Sequence, residues 1–236
     1  MALTDNIVSY WKFDENSGTV ANDSVTTNNG NITGNGTYWT PGIINSGGSF
    51  NGNNNIVTIA DNASVDFTGS VSISAWANMS TFNVNNQIMS KRAVYNGTGI
   101  PYELTIMGPT IGTLSFRVVG NTLTNGTHVI GPGTTYHFVS TWDGTTAIVY
   151  INGTQSNTGA ISGPIQANGS PVIIGNFPGG NEDFQGWIDE VGLWKRALSS
   201  AEVGTLYNAG AGLQYPFSSG AAMVIRGYRT LLGIGN

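Results

Sequence analysis

The 236-residue chain contains no cysteine, so no disulfide holds its fold and nothing follows about its redox compartment. Charged residues make up only 9% of the chain, and the net charge of −5 argues against a nucleic-acid partner. No segment reaches the roughly 18 consecutive apolar residues expected of a membrane span. The N-terminal sequence MALTDNIVSYW lacks a basic region followed by an apolar one, so we predict no signal peptide in this chain.

Residues that carry out catalysis are also sparse. Of the two histidines, His128 has no acidic neighbour, and His137 lies in the middle of a predicted strand, which is typical of a hydrogen-bonded structural histidine. No serine or cysteine nucleophile motif is visible. Retaining glycoside hydrolysis needs two carboxylates about 5 Å apart, whereas the consecutive acids Asp189 and Glu190 are expected to point to opposite faces of one strand. We therefore predict that the protein is not an enzyme.

What the chain has in quantity is glycine, at 34 residues, together with asparagine, threonine and serine. This composition is typical of strands joined by many turns. Apolar and polar residues alternate in SVSISAWAN (residues 70–78), and similar patterns in residues 103–107 and 114–119 would leave Thr105 and Ser115 outside the core. A dozen or so such segments predict an all-β sandwich of two sheets, forming one domain over residues 1–217.

The last predicted elements of that domain are a strand and a short helix. Counting by twos places Asp189 on the same side as Val191, which we expect to be the core side. A buried carboxylate must be hydrogen-bonded, paired or bound to a cation. Ser199 and Glu202 match an S-x-x-E capping box, and Gly210 is placed to end the helix.

Residues 218–236 (SSGAAMVIRGYRTLLGIGN) differ from the rest in charge. They carry +2, whereas residues 1–217 hold six basic and thirteen acidic residues, a charge of −7. The segment is predicted either to pack on its own sandwich or to dock on a neighbouring subunit of an assembly, because exposed apolar segments mark interaction surfaces. The candidate docking residues are Met223, Ile225, Arg226, Tyr228, Arg229 and Leu231.

A ligand-binding face is suggested by one aromatic residue on the polar side of its strand. Trp76 would serve there as a stacking platform for a sugar, with Glu103 and Arg117 on neighbouring strands of the same face to bind hydroxyl groups. Arg92 and Tyr95 lie in the adjoining loop. The alternative is that a loop simply covers Trp76, as is usual for aromatic side chains in sandwiches.

Several segments together resemble a known family. In order and spacing they are YWKFDENSGT, GGSFNGNNNIVTI, SVSISAWAN, IMSKR, YEL, TYHFVSTWDGTTAIVYINGT and GWIDEVGLWKRALSSAEVGTLYN. They resemble the laminin G-like (LamG-type jelly roll) domains of the concanavalin A-like lectin/glucanase superfamily. The resemblance implies a jelly-roll sandwich of two curved antiparallel sheets and a non-catalytic role in binding carbohydrate or protein. The E-x-D-x-E arrangement of the family's laminarinase-type glycoside hydrolases does not occur here.

The resemblance also implies a structural calcium ion. Carried over to this chain, the ligands would be the carboxylates of Asp14 and Asp189 and backbone carbonyls near Gly48 or Asn51. The alternative is that Asp189 accepts backbone N–H groups without any metal. The run of asparagines from Asn51 to Asn55 replaces acids found in relatives, which lowers the expected affinity for calcium.

Three classes of function follow from these observations. The first is a surface-displayed binding or adhesion domain for carbohydrate or protein, built into a larger particle through residues 218–236; it would work outside the cell or on a virion surface. The second is a structural module of a larger particle, namely a virion decoration or appendage protein without glycan binding. A free-standing calcium-dependent carbohydrate-binding module is an alternative within the first class. A divergent glycoside hydrolase is the third class, and it lacks the paired carboxylates.

Overall fold

Two antiparallel β-sheets of eight strands each form the protein, as seen in a computed structural model. The structure describes residues 1–82, 85–92, 100–108, 112–126, 128–176 and 182–217. The predicted ligand residue Tyr95 and all six candidate docking residues of the 218–236 segment lie outside these ranges. The predicted all-β jelly-roll sandwich is confirmed. Among the described residues, no helix is long and apolar enough to cross a membrane.

The order of strands brings distant parts of the chain together. In chain order the strands are β1 (Ile7–Trp11), β2 (Val20–Ala21), β3 (Gly30–Thr33), β4 (Trp39–Pro41), β5 (Ser46–Asn51), β6 (Ile56–Ile59), β7 (Val71–Met79), β8 (Asn85–Lys91), β9 (Tyr102–Met107), β10 (Thr113–Val118), β11 (Asn121–Thr124), β12 (Thr135–Trp142), β13 (Thr146–Ile151), β14 (Thr154–Ala160), β15 (Val172–Ile174) and β16 (Gln185–Trp194). Sheet A has the order β14-β13-β12-β7-β16-β5-β4, with β1 also paired to β16. Sheet B has the order β11-β10-β9-β8-β15-β6-β3-β2.

The main hydrophobic core lies between the two sheets, and alternation along the strands builds it. In β7, Val71, Ile73 and Ala75 are fully buried members of this core, as their spacing predicts. In sheet B, the same rule turns Leu104 and Phe116 inward. Every second residue of these strands therefore points away from the core, onto the outer face of its sheet.

A second hydrophobic cluster covers the outer face of sheet A. It joins Tyr10 and Trp194 from the sheet to Val203 and Leu206 of the helix α1 (Ser200–Tyr207). The predicted capping box of Ser199 and Glu202 at the start of α1 is present. The helix ends at Tyr207, and a 3₁₀ turn (Asn208–Gly210) follows, so the α-helix stops before Gly210.

A β-bulge in β16 overturns the predicted direction of its acids. Asp189 pairs with Trp76 and Gly192 pairs with Ser74, so two residues of β16 oppose the single residue between them on β7. Glu190 takes up the extra length with a left-handed φ of 50°. Ile188 before the bulge and Val191 after it both face the core. Asp189 therefore does not share the core face with Val191, because the bulge reverses the alternation.

Candidate functional site

The outer face of sheet B carries two adjacent rows of polar side chains. Cross-strand pairing places Ser90, Glu103, Arg117 and Thr122 side by side on β8, β9, β10 and β11. The second row, on the same strands, is Gln87, Thr105, Ser115 and Thr124. We call these eight residues the polar face. It presents hydroxyl, amide and charged groups and contains no aromatic residue.

An ion-pair cluster lies within and beside the polar face. The Arg92 guanidinium donates from Nη1 to Glu103 Oε2 at 2.7 Å and from Nη2 to Glu182 Oε2 at 3.1 Å. Arg117 Nη1 lies 3.8 Å from Glu103 Oε1. Burial raises the pKa of Glu103 above its usual value, and the positive charges of Arg92 and Arg117 oppose that rise. Breaking this cluster would leave a buried charge without compensation.

Several buried polar atoms of the polar face have no hydrogen-bond partner within the described part of the chain. They are Gln87 Oε1, Ser90 Oγ, Ser115 Oγ and Arg117 Nε. Native proteins leave few such atoms unpaired, because each one loses its interaction with water without replacement. The Arg117 side chain is 29% exposed, so this part of the polar face opens to solvent. Gln87, Ser90 and Ser115 are themselves fully buried, so the part of the polar face that a ligand can reach is its edge at Arg117, the exposed Thr122 and the half-buried Thr124.

The sequence placed Trp76 on the same face as Glu103 and Arg117, and the structure contradicts this. Trp76 belongs to β7 of sheet A, between β12 and β16, whereas Glu103 and Arg117 belong to sheet B. Its ring stacks on His137 at 4.9 Å and on Tyr207 at 5.7 Å between centroids. With 3% of its surface exposed, Trp76 cannot offer a stacking platform. The end of helix α1 covers it, and the loop at Gly212 lies close to its indole nitrogen.

The structure reveals a serine–histidine pair that sequence reasoning missed. His137 Nε2 lies 2.9 Å from Ser74 Oγ, and both residues are buried. Burial lowers the pKa of His137 to about 3, and its Nδ1 has no partner among the described residues. A catalytic histidine needs access to substrate and a group that orients its second nitrogen. Both are missing here, so the geometry agrees with the predicted structural role of His137.

The acids near the β16 bulge form a buried cluster on the outer face of sheet A. Asp189 Oδ2 accepts from the backbone N–H groups of Ile43 at 2.9 Å and Ile44 at 3.2 Å. Asp189 Oδ1 accepts from the N–H of Glu190 at 2.8 Å. Gln214 Nε2 donates to Asp14 Oδ2 and to Glu190 Oε1, at 2.7 Å in each case. Asp189 and Glu190 therefore face the same side of the sheet, not opposite sides as predicted.

This cluster does not make a catalytic carboxylate pair. Asp189 and Glu190 are 0% and 1% exposed, backbone N–H groups bind both Asp189 oxygens, and Gln214 binds Glu190 Oε1. Burial raises the pKa of Asp189 to about 8, with the charge of Glu190 as a further cause, although three backbone N–H groups oppose the rise. Burial likewise raises the pKa of Glu190 to about 7.

Hydrogen bonds from the protein already reach the side-chain oxygens of the residues predicted to hold calcium. Asp189 accepts backbone N–H groups, as the alternative expectation had it, and the Asn51 side-chain oxygen accepts three others, from residues 53–55. A Cβ at Gly48 would lie 2.9 Å from the ring of Phe13, so this glycine serves close packing. Within the described ranges, no group of three or more His, Cys, Asp or Glu residues could hold a metal ion. Calcium binding at these residues stays a prediction.

Chelation tests directly whether bound calcium stabilises the fold. Because hydrogen bonds already occupy the oxygens of Asp14 and Asp189, we expect the melting temperature to be the same in excess EDTA and in millimolar calcium. Differential scanning calorimetry measures it. A fall in EDTA that calcium reverses and magnesium does not would support the calcium prediction.

Comparison with known proteins gives the same fold. The family model of the concanavalin A-like lectin/glucanases superfamily matches residues 51–204. No curated protein sequence matches the chain. Among solved structures, the binding domain of Paraclostridial Mosquitocidal Protein 1 is similar at 19% identity and a TM-score of 0.69, covering 89% of this chain and 53% of that one.

Two further structures show how this fold occurs in longer proteins. Domain 4 of AbnA, an extracellular arabinanase of Geobacillus stearothermophilus in complex with arabinotriose, has 20% identity and a TM-score of 0.65, covering 84% of this chain and 97% of that one. Trypanosoma rangeli sialidase has 16% identity and a TM-score of 0.65, covering 89% of this chain but only 34% of the sialidase. The chain thus spans about half of the mosquitocidal binding domain and a third of the sialidase. With most of its length matched by the family model, the chain belongs to the concanavalin A-like lectin/glucanase superfamily.

Proposed function

We propose that the protein is a non-catalytic binding domain that holds a carbohydrate on the polar face of sheet B. The observation that carries this proposal is the open edge of the polar face, where the 29% exposed Arg117 side chain lies beside the exposed Thr122 and the half-buried Thr124. Sugars present many hydroxyl groups, each able to donate and to accept a hydrogen bond. A ligand of this kind could hydrogen-bond the exposed part of Arg117 and the threonine hydroxyl groups beside it.

The rest of the molecule supports a binding role rather than a catalytic one. The two candidate catalytic constellations, Ser74 with His137 and Asp189 with Glu190, are both buried on the other sheet. The similar domain of the arabinanase is known in complex with arabinotriose, which supports carbohydrate as the ligand class for this chain too.

Replacing Arg117 by alanine tests the proposal. Losing a charged hydrogen-bond donor is worth about 1.5–3 kcal/mol, so we expect roughly 10- to 100-fold weaker binding of the best ligand found on a glycan array. Isothermal titration calorimetry measures the affinity. The matched control is Lys195→Ala, which removes the same charge from an exposed position at the end of β16 in sheet A. Equal affinity of Arg117→Ala and the wild type, or an array without any bound glycan, would contradict the proposal.

Docking in a larger assembly through residues 218–236 stays a second proposal. The preceding segment lies on the outer face of sheet A, where Phe217 contacts the rings of Tyr10 and Trp194 at centroid distances of 5.3 and 6.2 Å. Attachment from that side would leave the polar face of sheet B free. A chain truncated after Phe217 that still joins its assembly, as judged by sedimentation, would remove this proposal.

A further inference from the structure

We infer that the polar face accepts uncharged oligosaccharides and discriminates against acidic ones. The inference rests on the proposed function and adds the charge class of the ligand. Its basis is the balance of charges on and beside the polar face, where two arginines meet two glutamates: Arg92, Arg117, Glu103 and Glu182.

Arg92 is already committed to protein carboxylates. Its two terminal nitrogens donate to Glu103 and Glu182, and its side chain is 3% exposed. An acidic sugar could pair with Arg92 only by displacing a buried glutamate, which would then lose its compensation. Arg92 therefore stabilises the polar face and is not offered to an anionic ligand.

Arg117 is the more open of the two cations, and its charge is offset. Its Nη1 lies 3.8 Å from Glu103 Oε1, and Glu103 is only 1% exposed. A ligand carboxylate placed on Arg117 would lie close to the buried negative charge of Glu103. The exposed part of the Arg117 guanidinium remains suited to a hydroxyl oxygen, which adds no negative charge.

The remainder of the polar face contains no compensating cation. The other six residues of the polar face are serine, threonine and glutamine. Residues 1–217 as a whole carry a charge of −7, so the long-range field repels anions as well.

Matched pairs of glycans test the inference within a broad glycan array. Suitable pairs are lactose with 3′-sialyllactose, and arabinotriose with trigalacturonic acid, measured at 50 and 500 mM NaCl. For every glycan that binds, we expect the acidic counterpart to bind at least about tenfold more weakly at low salt. We also expect the affinity for neutral glycans to change less than about twofold with salt. Salt screens interactions between exposed charges, and an uncharged glycan makes no such interaction.

Two variants locate the discrimination on the polar face. Arg117→Gln makes the net charge of the polar face negative and should increase the difference in affinity between neutral and acidic glycans. Glu103→Gln should decrease that difference. Glu103→Gln removes a buried partner of Arg92 and Arg117, so the folding of the Glu103→Gln variant is checked by thermal unfolding. If Glu103→Gln proves unstable, Arg117→Gln alone is used for the test. Acidic glycans that bind as tightly as their neutral counterparts, or tighter, overturn this inference and leave the proposed function standing. An array with no bound glycan overturns the proposed function, and this inference with it.

Discussion

Replacing Trp76 by alanine is expected to lower the free energy of unfolding by about 3–5 kcal/mol. The indole is 3% exposed and stacks between sheet A and helix α1, where its partners are His137 and Tyr207. Its removal leaves a cavity and takes away the surface on which the end of α1 rests. Urea denaturation followed by fluorescence and circular dichroism measures the loss.

Trp39→Ala is the matched control for this prediction. Trp39 lies in the edge strand β4, is partly exposed, and donates from its indole nitrogen to the Gly18 carbonyl at 3.3 Å. Its truncation should cost about 1 kcal/mol, since much of its surface already contacts water. If Trp76→Ala instead kept wild-type stability and lost ligand binding, the sugar-platform role predicted from the sequence would be right.

Stability should fall as the pH rises from 5 to 8, because a buried carboxyl at Glu190 is easier to keep protonated than charged. Its pKa rises from an ordinary 4.5 to about 7, through burial first. The folded state therefore binds more protons than the unfolded state between these values. The contribution is fully present below pH 4.5 and is lost as the pH passes 7. The shift corresponds to about 3 kcal/mol, and Asp189, with its pKa raised to about 8, acts in the same direction.

Glu190→Gln tests this account because glutamine has nearly the size of glutamate and a similar tolerance of the left-handed backbone conformation at this position. Unlike glutamate, it cannot ionise. We expect the variant to be more stable than the wild type at pH 8 by up to about 3 kcal/mol and to lose that advantage near pH 5. Urea denaturation midpoints at several pH values measure it. An unchanged pH profile in the variant would show that Glu190 is not the titrating group.

Glu202→Gln is the control of opposite sign. Burial would raise the pKa of Glu202, but hydrogen bonds from Arg196 and Ser199 lower it to about 2. Its ionised form therefore stabilises the fold above pH 4.5, and that contribution is lost as the pH falls through 2. The variant should be less stable than the wild type at neutral pH, where Glu190→Gln is more stable.

Alternation accounts for most of the fold that could be predicted from the sequence. In β7, β9 and β10 it gives the correct inward residues, and it correctly places Thr105 and Ser115 with Glu103 and Arg117 on an outer face. The capping box at Ser199 and Glu202 is also a local pattern and could also be predicted from the sequence. Local patterns of this kind depend on residues within a few positions of each other, so the sequence displays them directly.

The errors arise where one residue breaks the alternation or where partners come from distant strands. The bulge at Glu190 reverses the faces of β16, and a register shift between Gln87 and Met89 similarly hides the contribution of β8 to the polar face. Trp76 has the right local pattern for an outer face, but nothing local says that this face belongs to sheet A. Strand order and register are set by contacts far apart in the chain, which a single sequence does not display.

The location of a bound neutral oligosaccharide tests the central claim most directly. In a crystal structure of the complex, the sugar should lie on the outer face of sheet B and hydrogen-bond Arg117, Thr122 or Thr124. A sugar bound instead on the outer face of sheet A, against Trp76 and helix α1, would contradict the account.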